Sequence, residues 1–125
     1  MIPASDWKWF GSPLHFCCAD RCLWHLGTQV GEYVISSVGF MRPMPIKTES
    51  DLRRAERIGA DGLYEVFVFK AGPPHKCGCP TIDGLEIEAR RFGFNDDIPW
   101  DGHAEADACH REMCEKYAAM QEPTK

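Results

Sequence analysis

The cysteines and histidines of this 125-residue chain fall into two clusters, each able to present four ligands to one metal ion. His15, Cys18, Cys22 and His25 make the first, and Cys77, Cys79, His110 and Cys114 the second. A chain of this length buries roughly 65% of its unfolded surface and holds little stability in reserve. A metal staple would therefore restrict its folds more than any other pattern in it.

Residues 1–14 carry Asp6, Lys8 and two prolines but no apolar run resembling a signal sequence. No stretch approaches the roughly 20 apolar residues that span a bilayer. A cytoplasmic protein without membrane attachment is the expectation. In a reducing compartment, seven cysteines, an odd number, argue against a disulfide framework and for metal binding or catalysis.

The second cluster is the better defined. His110 and Cys114 are one helical turn apart on a predicted C-terminal helix, which brings their Cβ atoms to about 6 Å. Cys77 and Cys79 sit in a glycine- and proline-bearing segment where Gly78 lets the backbone turn both sulfurs inward. Together they have the Cys3His composition of a structural tetrahedral zinc site. A disulfide between Cys77 and Cys79 would close a strained small ring and leave His110 unexplained. Cys109, His103 and His75 are near enough to replace a ligand.

In the first cluster, HFCCADRCLWH, Cys18 and Cys22 have helical spacing and His15 and His25 could close a Cys2His2 shell. Cys17 is a further candidate. Two other readings stay open here. One is a thiolate at Cys17 or Cys18 activated by a histidine. The other is an open zinc position, with bound water as nucleophile and Glu32 or Glu65 as general base.

Eleven glycines and nine prolines predict many turns and short regular elements around a core drawn from four Trp, seven Phe and three Tyr. Residues 1–14 read as an irregular arm bringing Trp7, Trp9 and Phe10 onto the body. Residues 24–38, WHLGTQVGEYVISSV, read as one long or kinked strand. Thr48 opens a short capped helix that ends near Gly59. LYEVFVFK is the strongest strand, covered on most of both faces. The segment AGPPHKCGCPTIDG, with three prolines and three glycines in fourteen residues, reads as loop, and LEIEARRF as a further strand. A last helix runs from a cap at Asp101 to about Met120. The expected fold is one α+β domain over residues 1–125: a small antiparallel sheet of three or more strands with two helices, loop-rich and stapled by zinc.

The net charge of −5 disfavours nonspecific nucleic-acid binding, where Lys and Arg neutralise phosphates. Between residues 96 and 115 seven acidic side chains face Arg111 alone, while Arg53, Arg54 and Arg57 form a small basic patch. Both read first as solvated helix faces and second as contacts for a partner.

The phrases HFCCADRCLWHLGTQVGEYVISSVG, IGADGLYEVFVFKAG, CGCPTIDG and CHREMCEKYA, in that order, resemble a group of short, largely uncharacterised bacterial and phage proteins. The resemblance covers about two thirds of the chain. It implies the same eight ligand positions, with Cys17 and Cys109 as extras, and it brings no activity with it. The linker after Val38 is shorter than is usual in the group, and Trp24 stands where another aromatic is typical.

Three functions compete. The leading expectation is a noncatalytic accessory factor of phage or prophage type, holding at least one and up to two Zn2+ ions. It would bind a protein partner through the acidic helix or the aromatic arm. The alternative is a small zinc-dependent hydrolase with an open metal position at the first cluster, near Thr28, Gln29, Glu32, Tyr33 and Ser36. A nucleic-acid-binding zinc module is third, since no basic helix adjoins either ligand set.

Overall fold

Alternating side chains along successive β-rich segments build an antiparallel meander. In a computed structural model, which describes residues 1–10, 24–39, 48, 63–93 and 102–122, five strands pair in sequence order. They are β1 (Lys8–Phe10), β2 (His25–Val30), β3 (Tyr33–Val38), β4 (Tyr64–Pro74) and β5 (Pro80–Phe92). One helix, α1 (His103–Ala119), packs across a single face of the sheet.

This corrects the expected architecture. The described chain is dominated by strand rather than loop, and α1 is its one α-helix. The helix expected between residues 48 and 59 lies outside the described residues apart from Thr48. Among the described residues no zinc staple is assembled. The N-terminal arm is more regular than expected: a 3-10 turn at Ala4–Asp6 leads into β1, which pairs with β2 in the register Trp9↔Thr28.

Residues 24–38 form a hairpin instead of one strand. Val30 pairs with Tyr33 across a tight turn at Gly31 and Glu32, and Gly31 takes φ +61, a left-handed conformation that costs an L-residue energy. A Cβ there would also collide with the side chains of Gln121 and Ile2. Gln121 ties this turn to the end of α1: its amide donates to the Val30 carbonyl at 2.9 Å and the Tyr117 carbonyl at 2.8 Å. Its own oxygen accepts the Glu32 N–H at 2.9 Å.

The proline-rich segment 71–84 is also mostly strand. β4 continues to Pro74 and β5 resumes at Pro80, so residues 75–79 alone form the turn. Prolines are tolerated because β3 stops alongside Lys70, leaving the rest of β4 with one neighbour and few ladder bonds to lose. Between the pairs Val68↔Glu88 and Lys70↔Asp83 the ladder is shifted, and β5 bulges outward.

α1 begins where predicted but without a side-chain cap. Gly102, at φ +89, takes the cap position, and a Cβ there would lie 2.5 Å from the Gly93 nitrogen. Close packing of the helix start on the end of β5 thus requires glycine, and Asp101 lies outside the described residues. Ala106, Cys109, His110, Met113, Cys114, Tyr117 and Ala118 repeat at alternating three- and one-residue steps and face inward. They meet Ile2, Val30, Ile35, Leu63, Tyr64, Val66 and Val68 in one core. No described helix is long and apolar enough to cross a membrane.

Candidate functional site

The densest polar chemistry lies under α1. Strand alternation turns Thr28 of β2 and Ser37 of β3 toward the helix, as it does Ile35 and Val30. His110 descends between them. Its Nε2 lies 2.8 Å from Thr28 Oγ1 and its Nδ1 2.6 Å from Ser37 Oγ, and the ring is fully buried. Burial pushes the His110 pKa down to about 4, with the Arg111 charge acting in the same direction and Asp107 against it. The ring is neutral at pH 7, so one nitrogen donates to a hydroxyl and the other accepts from one.

Cys114, one turn further on, is equally buried, and burial raises its thiol to about 11. The Thr28 hydroxyl hydrogen-bonds this thiol and opposes the shift. Above the cluster the Trp9 ring lies 5.8 Å from the imidazole, and the Arg111 guanidinium sits 5.5 Å over Trp9. A protonated thiol and a neutral imidazole whose nitrogens are both engaged offer neither a nucleophile nor a base to solvent. The arrangement bolts α1 to two strands.

Cys77 and Cys79 stand elsewhere. They occupy the β4–β5 turn, where Gly78 N–H donates to the His75 carbonyl at 2.9 Å and His75 N–H donates to the Cys79 carbonyl at 2.7 Å. Cys77 is exposed and Cys79 half-buried. Their side chains hydrogen-bond each other; the Cys79 backbone N–H and that thiol lower the Cys77 pKa, while desolvation raises that of Cys79. Val68 lies level with Thr28 in the sheet, and extended strand from Val68 to Pro74 covers about 20 Å. The turn therefore lies far from His110 and Cys114.

The structure thus brings Cys77 to Cys79, and His110 to Cys114 through Thr28, but does not unite the two pairs. The expected Cys3His shell does not fit this arrangement. Among the described residues, no three His, Cys, Asp or Glu side chains are placed to hold a metal ion. Of the first set, His25 begins β2 and shares a face with Val38 and Glu65, opposite to His110. His15, Cys18 and Cys22, with Cys17, lie outside the described residues.

The replacement candidates are placed apart as well. His103 packs edge-on against Trp24 and Tyr64, at 5.2 and 5.8 Å. Cys109 is buried, its thiol raised by burial first and by Glu112 second. His75 lies in the β4–β5 turn. Of the proposed general bases, Glu32 is exposed in the hairpin turn, and Glu65 is buried, 3.8 Å from Arg91 Nε.

Ser37 escaped the sequence reading. Its signal was the pair Ser36–Ser37 inside an otherwise apolar strand, of which alternation sends only Ser37 to the helix. No protein-family model, curated protein or solved structure matches the chain.

Proposed function

We propose that this chain is a noncatalytic accessory factor that binds a protein partner through the bulged outer side of β5. The observation that carries this reading is the exposure of every residue from 83 to 87. Within that stretch Leu85 is 85% and Ile87 53% exposed. Large apolar side chains held out by a bulge, on a strand with no outer neighbour among the described residues, supply anchors for a partner's pocket. Asp83 precedes them and Glu86 lies between them, so the complementary surface is an apolar pocket rimmed by Lys or Arg.

The surfaces expected from sequence are only partly covered. Trp7 packs against the core, and Trp9, 46% exposed, lies against His110 and Arg111 on its inner side. On α1, Asp107 pairs with Arg111 at 3.2 Å, while Glu105, Glu112 and Glu115 stay exposed but offer no large apolar anchor. The burial of His110 and Cys114 supports the noncatalytic part of the reading.

The test places a photo-crosslinking amino acid at Leu85 in cells, with Ala108 on the exposed face of α1 as a matched control site. One partner crosslinked from Leu85 and not from Ala108, and lost on Glu86→Lys, is the expected result. The same yield from both sites, or capture that Glu86→Lys leaves unchanged, would refute the β5 surface. A second copy of the chain as the crosslinked species would replace the partner by self-association.

A further inference from the structure

We infer that the Cys77–Gly78–Cys79 turn is a thiol–disulfide exchange site that accepts small peptide disulfides. The two sulfurs, separated by one glycine, stand at the exposed end of a ribbon, clear of the core and of the buried Cys109 and Cys114. Their side chains already hydrogen-bond each other. Gly78 holds φ +94 with open space around it, so the turn can tighten without displacing a neighbour. The base of the turn is held by two backbone hydrogen bonds, from His75 N–H to Cys79 and from Gly78 N–H to His75. Exchange chemistry needs this combination: one accessible sulfur, a second within reach, and a backbone that keeps them together.

The two sulfurs are not equivalent. Cys77 is exposed and Cys79 half-buried, so the outer thiolate attacks first. It displaces one half of the incoming disulfide R–S–S–R as a thiolate, which takes a proton from water, and forms a Cys77–S–S–R mixed disulfide. Cys79 then gives its proton to solvent and attacks the Cys77 sulfur. The mixed disulfide breaks, the second RSH leaves, and a Cys77–Cys79 disulfide remains. The chain has lost two hydrogens and the substrate has gained them. A ring closed over one intervening residue is strained, and strained, exposed disulfides are oxidising and labile, unlike structural ones. Lys76, exposed next to Cys77, favours disulfides that carry carboxylates, of which oxidised glutathione is a convenient probe.

The experiment uses the full-length reduced chain with chelator present, equilibrated against mixtures of reduced and oxidised glutathione and quenched with acid. Intact-mass measurement and peptide mapping then locate the products. The expected wild-type product is an internal Cys77–Cys79 disulfide with little glutathione adduct. Cys79→Ser should stop at a glutathione adduct on Cys77, and Cys77→Ser should leave Cys79 largely unmodified over the same interval. Thermal midpoints equal to wild type would show that both variants keep the fold. Adducts on both cysteines of the wild type without internal closure would overturn the inference. So would disulfides joining either sulfur to Cys17, Cys18 or Cys22, or no accumulation of adduct in Cys79→Ser.

Discussion

His110 makes its two hydrogen bonds to different strands, so its loss should be felt twice. Replacing it with Leu leaves the Thr28 and Ser37 hydroxyls buried without their partner, and each such orphan costs about 1–3 kcal/mol. His110→Leu should therefore destabilise the fold by about 2–5 kcal/mol in urea unfolding. The combination Thr28→Val, Ser37→Ala and His110→Leu should be less harmful than the single change, because it removes the orphans. Equal or greater damage from the triple variant would mean that packing, not hydrogen bonding, sets the role of His110.

The same residue fixes a pH dependence. His110 falls from 6.5 in the unfolded chain to about 4 in the fold, so between those values the unfolded state binds more protons. Stability is then fully present above about pH 6.5 and lost as pH falls toward 4, by roughly 3 kcal/mol in all. Urea midpoints measured from pH 7 to pH 4 should decline in the wild type and much less in His110→Gln. Glu88, held below the usual carboxylate range by Lys116 and Tyr117, adds a further loss below its unfolded value of 4.5. A flat profile across the histidine window would place the imidazole in contact with water.

At the scale of elements, the sequence was most legible where a residue's local preference and its tertiary setting agree. LYEVFVFK is a strand because alternation, branching and burial coincide. LEIEARRF is one through its pairing with β4, although most of it is exposed, and the last helix forms where its small and apolar positions suggest, although Ala104, Ala108 and Met120 face solvent. The segment around Pro73, Pro74 and Pro80 was misread because proline breaks a strand only where a ladder bond is needed. Beyond Lys70 the ribbon leaves β3, and whether a strand has a neighbour is not written in its own residues. Gly31, where a glycine inside a strand pattern points to a bulge or a close approach, is a close approach to Ile2 and Gln121 and also the left-handed turn of a hairpin.

Two glycines separate backbone strain from crowding. Gly31 and Gly78 both have positive φ, but only at Gly31 would a Cβ meet other side chains. Gly78→Ala should cost about 1–2 kcal/mol from left-handed strain alone. Gly31→Ala should cost that amount and more, since Gln121 must give up its place between Val30 and Glu32. Thermal denaturation of the two variants compares them directly, and equal losses would show that the Gln121 contact contributes little.

Across the whole molecule, the described members of the two expected ligand sets, His25, Cys77, Cys79, His110 and Cys114, were legible as residues of interest, but not as members of one shell. Sequence spacing correctly put His110 and Cys114 one turn apart and Cys77 beside Cys79. It could not register that the hairpin bearing the second pair extends past the sheet while the first pair descends into it. That separation changes what metal analysis should find. Cys114 is a buried thiol hydrogen-bonded to Thr28, with no other ligand beside it among the described residues. Zinc per chain, measured on tag-free protein, should be at most one equivalent and the same in wild type, Cys114→Ser and the Cys77→Ser, Cys79→Ser double variant. Cys114→Ser should still lose about 1–3 kcal/mol of stability, since a smaller, more strongly hydrated hydroxyl replaces a sulfur packed into the core. An equivalent of zinc released by Cys114→Ser and by the double variant alike would require the hairpin to fold back onto α1. The polar lock around His110 would then have to open to admit a metal.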